Sequence, residues 1–270
     1  MTIALGIRAT DGIVVAADRQ ETVGYQKNDA GKITATSRLN PSGTLIVTGA
    51  GNGTYLDAIA QQLQAWFGDD KAAKTPTEIG CMINDLNRKF YAETVLPFAA
   101  YPDHERPEYS LLIGCDVATG LPMFFTSEKL AFKSTPDYDA VGLGAATAKA
   151  LLSKFYVRLP VAMAINLAAF VMYEVKASIE GCGLGTDILY TLGHVMTYLP
   201  DDEVQEMEEA FRDYHRSERE NLHHCIASDL SHDVRPLADD QHLRGKLRDI
   251  FTRLNEERAK RTAPPHVSNQ

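Results

Sequence analysis

Thr2, Asp18 and Lys32 are the residues of this chain whose types and spacing are best suited to chemistry. Once Met1 is removed, Thr2 carries a hydroxyl and a free α-amine on adjacent atoms, so one residue supplies both a nucleophile and its base. A threonine hydroxyl is a poor nucleophile, but an α-amine with an unperturbed pKa of about 7.7–8.0 can accept its proton near neutral pH. The serine–histidine pair of serine proteases divides the work in the same way.

Two predicted strands bring an acid back to this threonine. Residues 2–9 alternate as a strand does, Asp11-Gly12 is a strong two-residue hairpin signal, and residues 13–17 form an apolar, β-branched return strand. Asp18 therefore leaves the second strand beside the start of the first.

A lysine is predicted to approach the same point from a third strand. Lys32 opens a β-rich run over residues 32–39, and the turn 40–43 leads into a further strand over 44–49. A lysine beneath Thr2 would lower the pKa of its hydroxyl and be held by Asp18. Three ionisable partners are thus expected to converge.

The order and spacing of these residues resemble proteasome β subunits, which are N-terminal nucleophile hydrolases. The matching landmarks are Thr2, Asp11-Gly12, Ala16-Ala17-Asp18-Arg19, Thr22, Gly24, Lys32-Ile33 and Ala50-Gly51. Residues 18–24 are also similar to the proteasome-like bacterial peptidase that works with a ring-shaped unfoldase. The resemblance covers residues 2–199.

This resemblance implies roles for individual residues. It makes Thr2 the nucleophile and Asp18 and Lys32 its support, and it makes the amide of Gly51 a donor of the oxyanion hole. It also implies a substrate-binding surface that contains Glu21, Thr22, Gly49 and Gly53. It further implies peptide or unfolded-protein substrates, a closed homo-oligomeric ring and a separate ATP-dependent unfoldase.

Two turns depart from the family pattern. Gly142-Leu143-Gly144 stands where the family commonly has Gly-Ser-Gly, so the serine near the threonine amine is missing. The second turn, Glu180 to Asp187, lacks the family's second serine, and Glu180 or Asp187 is expected to replace its acid. Cys182 in that turn is interpreted as a small buried residue rather than a second nucleophile.

The order of the remaining elements predicts the fold class. An amphipathic helix over 55–67 starts next to Gly51, which gives the oxyanion assignment a physical reason because amides at a helix N-terminus are available to an anion. A second helix, three strands, two more helices and two strands follow; their predicted ranges are 75–97, 109–117, 121–127, 130–134, 145–156, 161–180, 187–193 and 194–199. This order predicts an α+β, four-layer αββα sandwich of two antiparallel sheets between helical layers.

Residues 200–270 exceed the resemblance and are predicted to be a second domain, a helical C-terminal extension after the hydrolase domain of residues 1–199. Charged helices are expected over 204–222 and 240–258, followed by a disordered tail. The helices are expected to pack on the outer surface, with some contact to a neighbouring subunit. The histidines of this region do not have zinc-ligand spacing, so neither a metal nor any other cofactor is expected.

Composition restricts the function class. The chain has 270 residues and a net charge of −9, and no basic tract interleaves with aromatic residues, which argues against nucleic-acid binding. The most apolar stretch, 161–173, is too short to span a membrane. Charged residues within the first eleven argue against a signal peptide, and four scattered cysteines favour the cytoplasm. No phosphate-binding loop is present, so ATP hydrolysis is not expected.

The sequence therefore predicts a cytoplasmic threonine-type endopeptidase acting through an acyl-enzyme on Thr2. Two alternatives remain open. One is an N-terminal nucleophile amidohydrolase of a small amide, and the other is a catalytically inactive ring or scaffold subunit.

Overall fold

The computed structural model describes residues 2–23, 26–39, 42–69, 75–98 and 108–227, and positions 245, 249 and 252. Its compact units are residues 1–204 and residues 205–270. The domain boundary predicted at residue 199 stays a prediction. The predicted helix over 240–258 and the tail lie outside the described residues, apart from the three positions named.

Two five-stranded antiparallel sheets form the centre of the first unit. The first sheet has the order β10-β1-β2-β11-β12 and the second β5-β6-β7-β8-β9. Their strands are β1 (Ile3–Arg8), β2 (Ile13–Asp18), β5 (Thr34–Leu39), β6 (Ser42–Gly51), β7 (Tyr109–Val117), β8 (Met123–Glu128), β9 (Ala131–Thr135), β10 (Tyr138–Gly142), β11 (Thr186–Leu192) and β12 (Val195–Tyr198).

Helices cover the outer faces of both sheets. They are α1 (Gly53–Phe67), α2 (Pro76–Thr94), a short 3-10 helix (Leu96–Phe98), α3 (Ala145–Phe155) and α4 (Val161–Ser178). Helix α1 contacts β5, β6 and β7, whereas α4 contacts β1, β2 and β11. The predicted αββα sandwich is confirmed. A fifth helix, α5 (Asp201–Ala227), starts in the first unit and continues into the second.

Alternating side chains build two apolar layers. Along β6, Ile46 joins the core between the sheets, and Leu45 and Val47 join the core beneath α1 and α2. The sheets approach closely at Gly6, where an added Cβ would lie 2.4 Å from the Phe124 ring. That position therefore requires glycine.

Helix α4 is longer than the apolar stretch recognised in the sequence. It is the one helix among the described residues that is long and apolar enough to cross a membrane. Nine of its residues are buried, and it packs on three strands of the first sheet. Such burial is the property of a core helix in a layered sandwich.

The sequence prediction missed one pair of strands. β3 (Gln20–Val23) and β4 (Gln26–Asp29) form a separate two-stranded sheet between β2 and β5. Their residues are mostly polar, so they lack the apolar alternation by which a half-buried strand is recognised. The hairpin makes Lys32 part of the connection to β5 rather than the start of a strand.

Candidate active site

Antiparallel pairing of β1 and β2 places Thr2 beside Asp18. Ala4 faces Ala17 in this register, so Asp18 ends its strand next to the start of β1. The turn between the strands is closed by a hydrogen bond from the amide of Ala9 to the carbonyl of Gly12. The local hairpin predicted from Asp11-Gly12 thus accounts for the meeting of the two residues.

Lys32 completes a hydrogen-bonded cluster around the threonine hydroxyl. The Thr2 Oγ1 donates to Asp18 Oδ1 at 2.9 Å, and the Lys32 Nζ lies 3.0 Å from the same carboxylate oxygen. The Lys32 Nζ also donates to Thr2 Oγ1 and to the backbone carbonyl of Gln20. The three donors of the ammonium are therefore used.

Asp18 is fully buried and its carboxylate is saturated with donors. In addition to Thr2 and Lys32, the amide of Ile3 donates to Oδ1 at 3.1 Å and the amide of Gly183 to Oδ2 at 3.1 Å. A buried carboxylate needs such compensation. Asp18 therefore fixes the positions of the hydroxyl and the ammonium relative to each other.

The cluster lies at a cavity of about 510 Å3 that also contains most of the predicted substrate-binding residues. Thr2, Lys32, Glu21, Gly49 and Gly53 all line it. The side chain of Thr22 lies outside the described residues. A Cβ on Gly53 would come within 2.9 Å of Glu21 Oε1, which places the Glu21 carboxylate beside the start of α1.

Gly51 ends β6 at the edge of this cavity with a φ of +117°. A Cβ here would lie 2.2 Å from the carbonyl oxygen of Glu108, so both conformation and space favour glycine. Helix α1 begins two residues later, and no side chain caps its N-terminal amides. Gly51 and the first turn of α1 thus supply the amides from which an oxyanion site can be built.

The structure does not bring Glu180 or Asp187 to the threonine. Glu180 is exposed, and Asp187 Oδ1 accepts a hydrogen bond from Arg19 Nε at 2.6 Å. Arg19 also forms a bidentate pair with Asp201, at 2.5 and 2.8 Å. Asp187 is thus taken by a structural ion pair, and the contact of this turn with the cluster is made by the backbone amide of Gly183.

Cys182 is buried close to the same cluster. Its Sγ lies 3.5 Å from the position of a Cβ on Gly144, and 6% of the residue is exposed. Burial raises the pKa of the Cys182 thiol, and the negative charge of Asp18 raises it further. A thiol held protonated is a weak nucleophile, which agrees with the interpretation of Cys182 as a packed residue.

Two contributors to the site were not recognised in the sequence. Gln20 is buried, its carbonyl holds Lys32, and its side-chain amide donates to the carbonyl of Gly181 at 3.2 Å. Thr48 lines the cavity with a buried hydroxyl that has no hydrogen-bond partner in the described part of the chain. Neither residue type signals such a role, because backbone carbonyls and single threonines occur throughout a sequence.

Metal ligation was not expected, and that expectation stays a prediction. Within the described ranges, no group of three or more His, Cys, Asp or Glu side chains is arranged to hold a metal ion. His215 faces Glu218, with 3.5 Å between Nδ1 and Oε2. The side chains of His223, His224 and Cys225, and all of His232 and His242, lie outside the described residues.

Solved structures of Anbu proteins share this fold. Anbu (ancestral beta-subunit) from Yersinia bercovieri has a TM-score of 0.66 at 15% identity and covers 87% of this chain and 100% of its own. The helical assembly of the Anbu complex from Pseudomonas aeruginosa gives a TM-score of 0.67 at 17% identity, covering 86% and 98%. An Anbu variant from Hyphomicrobium sp. strain MC1 has a TM-score of 0.65 at 15% sequence identity, and the match covers 87% of this chain and 100% of the variant. No protein-family model and no curated protein matches the sequence.

These comparisons correct the family assignment made from the sequence. The assignment to proteasome β subunits, or to the bacterial peptidase that resembles them, is wrong, because the four matching structures compared with this chain are Anbu proteins. At 15–17% identity the match shows a common fold and no more. The roles of individual residues therefore have to be argued from the geometry of the site.

Proposed function

We propose that the chain is an amide hydrolase that cleaves peptides or unfolded proteins with Thr2 as its nucleophile. The observation that carries the proposal is the contact of the Thr2 hydroxyl with both the Lys32 ammonium and the buried Asp18 carboxylate. A cation that donates to a hydroxyl oxygen stabilises the alkoxide character which that oxygen gains as it attacks. The acid between them holds the cation in place.

The reaction proceeds by acyl transfer in two stages. Thr2 Oγ1 bonds to the substrate carbonyl carbon while its proton passes to the base, and the carbonyl oxygen becomes an oxyanion near Gly51 and the start of α1. The carbon–nitrogen bond then breaks as that proton moves to the leaving nitrogen, which departs as an amine. Water adds to the ester carbon, returns a proton to Thr2 Oγ1 and releases a carboxylic acid.

The base in this scheme is the α-amine of Thr2. While Met1 is attached, that nitrogen belongs to a peptide bond and has no basic lone pair. Cleavage of the bond between Met1 and Thr2 is therefore the activating step. Threonine is small enough for an ordinary methionine aminopeptidase to expose it.

We further propose that the active form is a cytoplasmic homo-oligomer. The support is the Anbu complex from Pseudomonas aeruginosa, whose structure is described as a helical assembly. The closed ring and the separate unfoldase expected from the sequence stay predictions.

The first test compares Thr2→Ala, Thr2→Ser and Thr10→Ala in turnover of fluorogenic peptides. Thr10 is an exposed threonine in the β1–β2 turn and serves as the matched control. We expect Thr2→Ala to lower turnover by about 10³-fold or more, Thr2→Ser to keep a part of it, and Thr10→Ala to leave it unchanged. A threonine-directed β-lactone should add one adduct per subunit, on Thr2.

Several outcomes would contradict the proposal. If the Thr2→Ala variant cleaved peptides at the rate of the parent, Thr2 would not be the nucleophile. If a preparation that retains Met1 were fully active, the α-amine of Thr2 would not be the base. No turnover of any amide by protein from which Met1 has been removed would indicate an inactive scaffold subunit.

A small-amide hydrolase is the second candidate function. The cavity at Thr2, at about 510 Å3, falls within the size range of small-molecule sites. Turnover of acylated amino acids or similar amides, with fluorogenic peptides left intact and the Thr2→Ala variant inactive, would favour this candidate.

A further inference from the structure

A second cavity, of about 550 Å3, lies at the edge of the sandwich where β9 and β10 are the outer strands of their sheets. Its walls come from β8, β9, β10 and the start of α3, with Ser110 of β7. None of its lining residues borders the cavity at Thr2. It is therefore a separate space.

The backbone of Thr2 lies between the two cavities. The amide of Leu143 donates to the carbonyl of Thr2 at 2.9 Å, and a Cβ on Gly142 would lie 2.2 Å from that carbonyl oxygen and 2.9 Å from the Cβ of Ala50. Gly142 lines the second cavity and Ala50 lines the first. The two cavities are thus separated by a layer of closely packed backbone at Thr2, and an extended substrate would occupy both by passing over that layer.

Two lysines and one buried acid form a charged cluster at the second cavity. Asp139 is 3% exposed and accepts hydrogen bonds from Lys133 Nζ at 2.8 Å and from Lys149 Nζ at 2.7 Å. Both hydroxyls of Thr126 and Thr135 and the amide of Ala140 also donate to its carboxylate. The carboxylate has five donors but a single negative charge, so it cannot neutralise both ammonium groups.

The charges of Lys133, Lys149 and Asp139 sum to +1, and the exposed Glu128 in the cavity wall brings the total to zero. The side chains of the two lysines are 59% and 42% exposed. Asp139 is the ion-pair partner of both lysines within the described part of the chain, and each ammonium keeps donors for a ligand. An ammonium group that a buried carboxylate already holds in place loses less conformational entropy when it binds an anion than a mobile surface lysine does. This arrangement is suited to a carboxylate.

We propose that the second cavity is the subsite for the leaving part of the substrate and that Lys133 and Lys149 bind a carboxylate there. The carboxylate is either the chain-terminal group or an acidic side chain that follows the scissile bond. The subsite role rests on the proposed amide hydrolysis at Thr2, whereas anion binding by the lysines does not. Glu128 also lines the cavity and is exposed, so its negative charge opposes the anion.

The test is binding of three tripeptides to the Thr2→Ala protein, in which turnover cannot interfere. The probes are tri-alanine, tri-alanine amide and Ala-Glu-Ala amide, and the readout is the NMR shift of the methyl groups of Ala145 and Val141 in the cavity wall. We expect at least one of the two carboxylate-bearing peptides to bind about five- to tenfold more tightly than tri-alanine amide. Which of the two does so identifies the source of the carboxylate.

Lysine variants test whether the preference for a carboxylate-bearing peptide arises in the second cavity. Lys133→Gln and Lys149→Gln should each reduce this preference, and the double variant should abolish it. Glu128→Gln should strengthen the preference. Lys89→Gln, an exposed lysine of α2 paired with Glu93, changes the net charge equally and should leave it intact. Equal affinity for all three peptides, or a preference that survives the double variant, would overturn the proposal.

The subsite role has its own readout in the parent protein. A carboxylate of the kind that the tripeptides identify, placed after the scissile bond, should raise kcat/KM in a manner that depends on Lys149, and a glutamate placed before the bond should not. The opposite pattern would overturn that role. Failure of Thr2 chemistry would instead appear as cleavage by the Thr2→Ala variant or as no cleavage of any amide.

Discussion

At the scale of single residues, Asp18 has two separable duties. It stabilises the fold by satisfying buried donors from β1 and from the turn at Gly183, and in the proposed mechanism it also fixes Lys32 against the Thr2 hydroxyl. To stabilise the fold, residue 18 needs oxygen acceptors for the buried donors around it. To support the proposed chemistry, it needs the Lys32 ammonium beside it, because a neutral side chain cannot stabilise a developing alkoxide.

Substitution of Lys32 and Asp18, singly and together, separates these duties. Lys32→Met leaves the Asp18 carboxylate buried without its cation, which should lower the free energy of unfolding by about 3 kcal/mol. It should also lower turnover by about 10²-fold or more. Adding Asp18→Asn removes the uncompensated charge but leaves one backbone donor facing an amide NH2, so the double variant should recover part of the stability and stay inactive. Urea unfolding and peptide turnover measure the two effects, and a double variant as active as the parent would exclude Lys32 from catalysis.

At the scale of elements, the sequence predicts best where one face of a strand or helix is apolar. The hairpin of β1 and β2 is predictable from its β-branched residues and the Asp11-Gly12 turn. Helix α2 is predictable from its capping box, in which Thr75 and Glu78 exchange hydrogen bonds. The meeting of Thr2 with Asp18 follows from the hairpin alone.

Contacts that depend on the backbone of polar segments could not be predicted. The β3–β4 hairpin has no apolar period, and the carbonyl of Gln20 that holds Lys32 carries no residue signature. Asp187 has the residue type of a supporting acid, but its carboxylate pairs with Arg19, at 2.6 Å. Which partner such a side chain contacts depends on how segments distant in the sequence pair in the fold.

Asp139 connects β8, β9, β10 and α3 and should make stability depend on acidity. Burial by itself raises the pKa of this carboxyl, but hydrogen bonds from Lys133 and Lys149 outweigh burial and lower it from 3.8 to about 2. The ionised group therefore stabilises the fold above about pH 4, and that contribution is lost as pH falls from about 4 to about 2. It corresponds to about 2 kcal/mol.

The pH dependence can be measured by urea unfolding of the parent and of Asp139→Asn between pH 5 and pH 2. The parent should lose about 2 kcal/mol more than the variant over this range, and the two should converge toward pH 2. Asp57→Asn, at an exposed position of α1, is the control for loss of a charge. Parallel curves for the parent and Asp139→Asn would show that Asp139 does not carry the effect.

At the scale of the whole molecule, the sequence led to the fold but to the wrong family. The landmarks that suggested proteasome β subunits are residues that shape the first hairpin and the strand before α1, such as Asp11-Gly12 and Ala50-Gly51. In this chain the turn and the close approaches of the backbone at Gly12 and Gly51 require such residues. Such landmarks therefore indicate the architecture more strongly than the family, and the Anbu structures share that architecture at 15–17% identity.

The last prediction concerns assembly of the full chain. Native mass spectrometry at micromolar concentration should give a multiple of the subunit mass, and electron microscopy should show whether the subunits form a closed ring or an open helical array. Truncation after Leu199 removes α5 together with Asp201, the bidentate partner of Arg19, and should yield a smaller assembly. Truncation after Ala227 retains α5 and that ion pair, and is the matched control. A stable monomer of the full chain would exclude the homo-oligomer and favour hydrolysis of a small amide. A chain truncated after Leu199 that assembles and cleaves as the parent does would show that residues 200–270 are needed neither for assembly nor for cleavage.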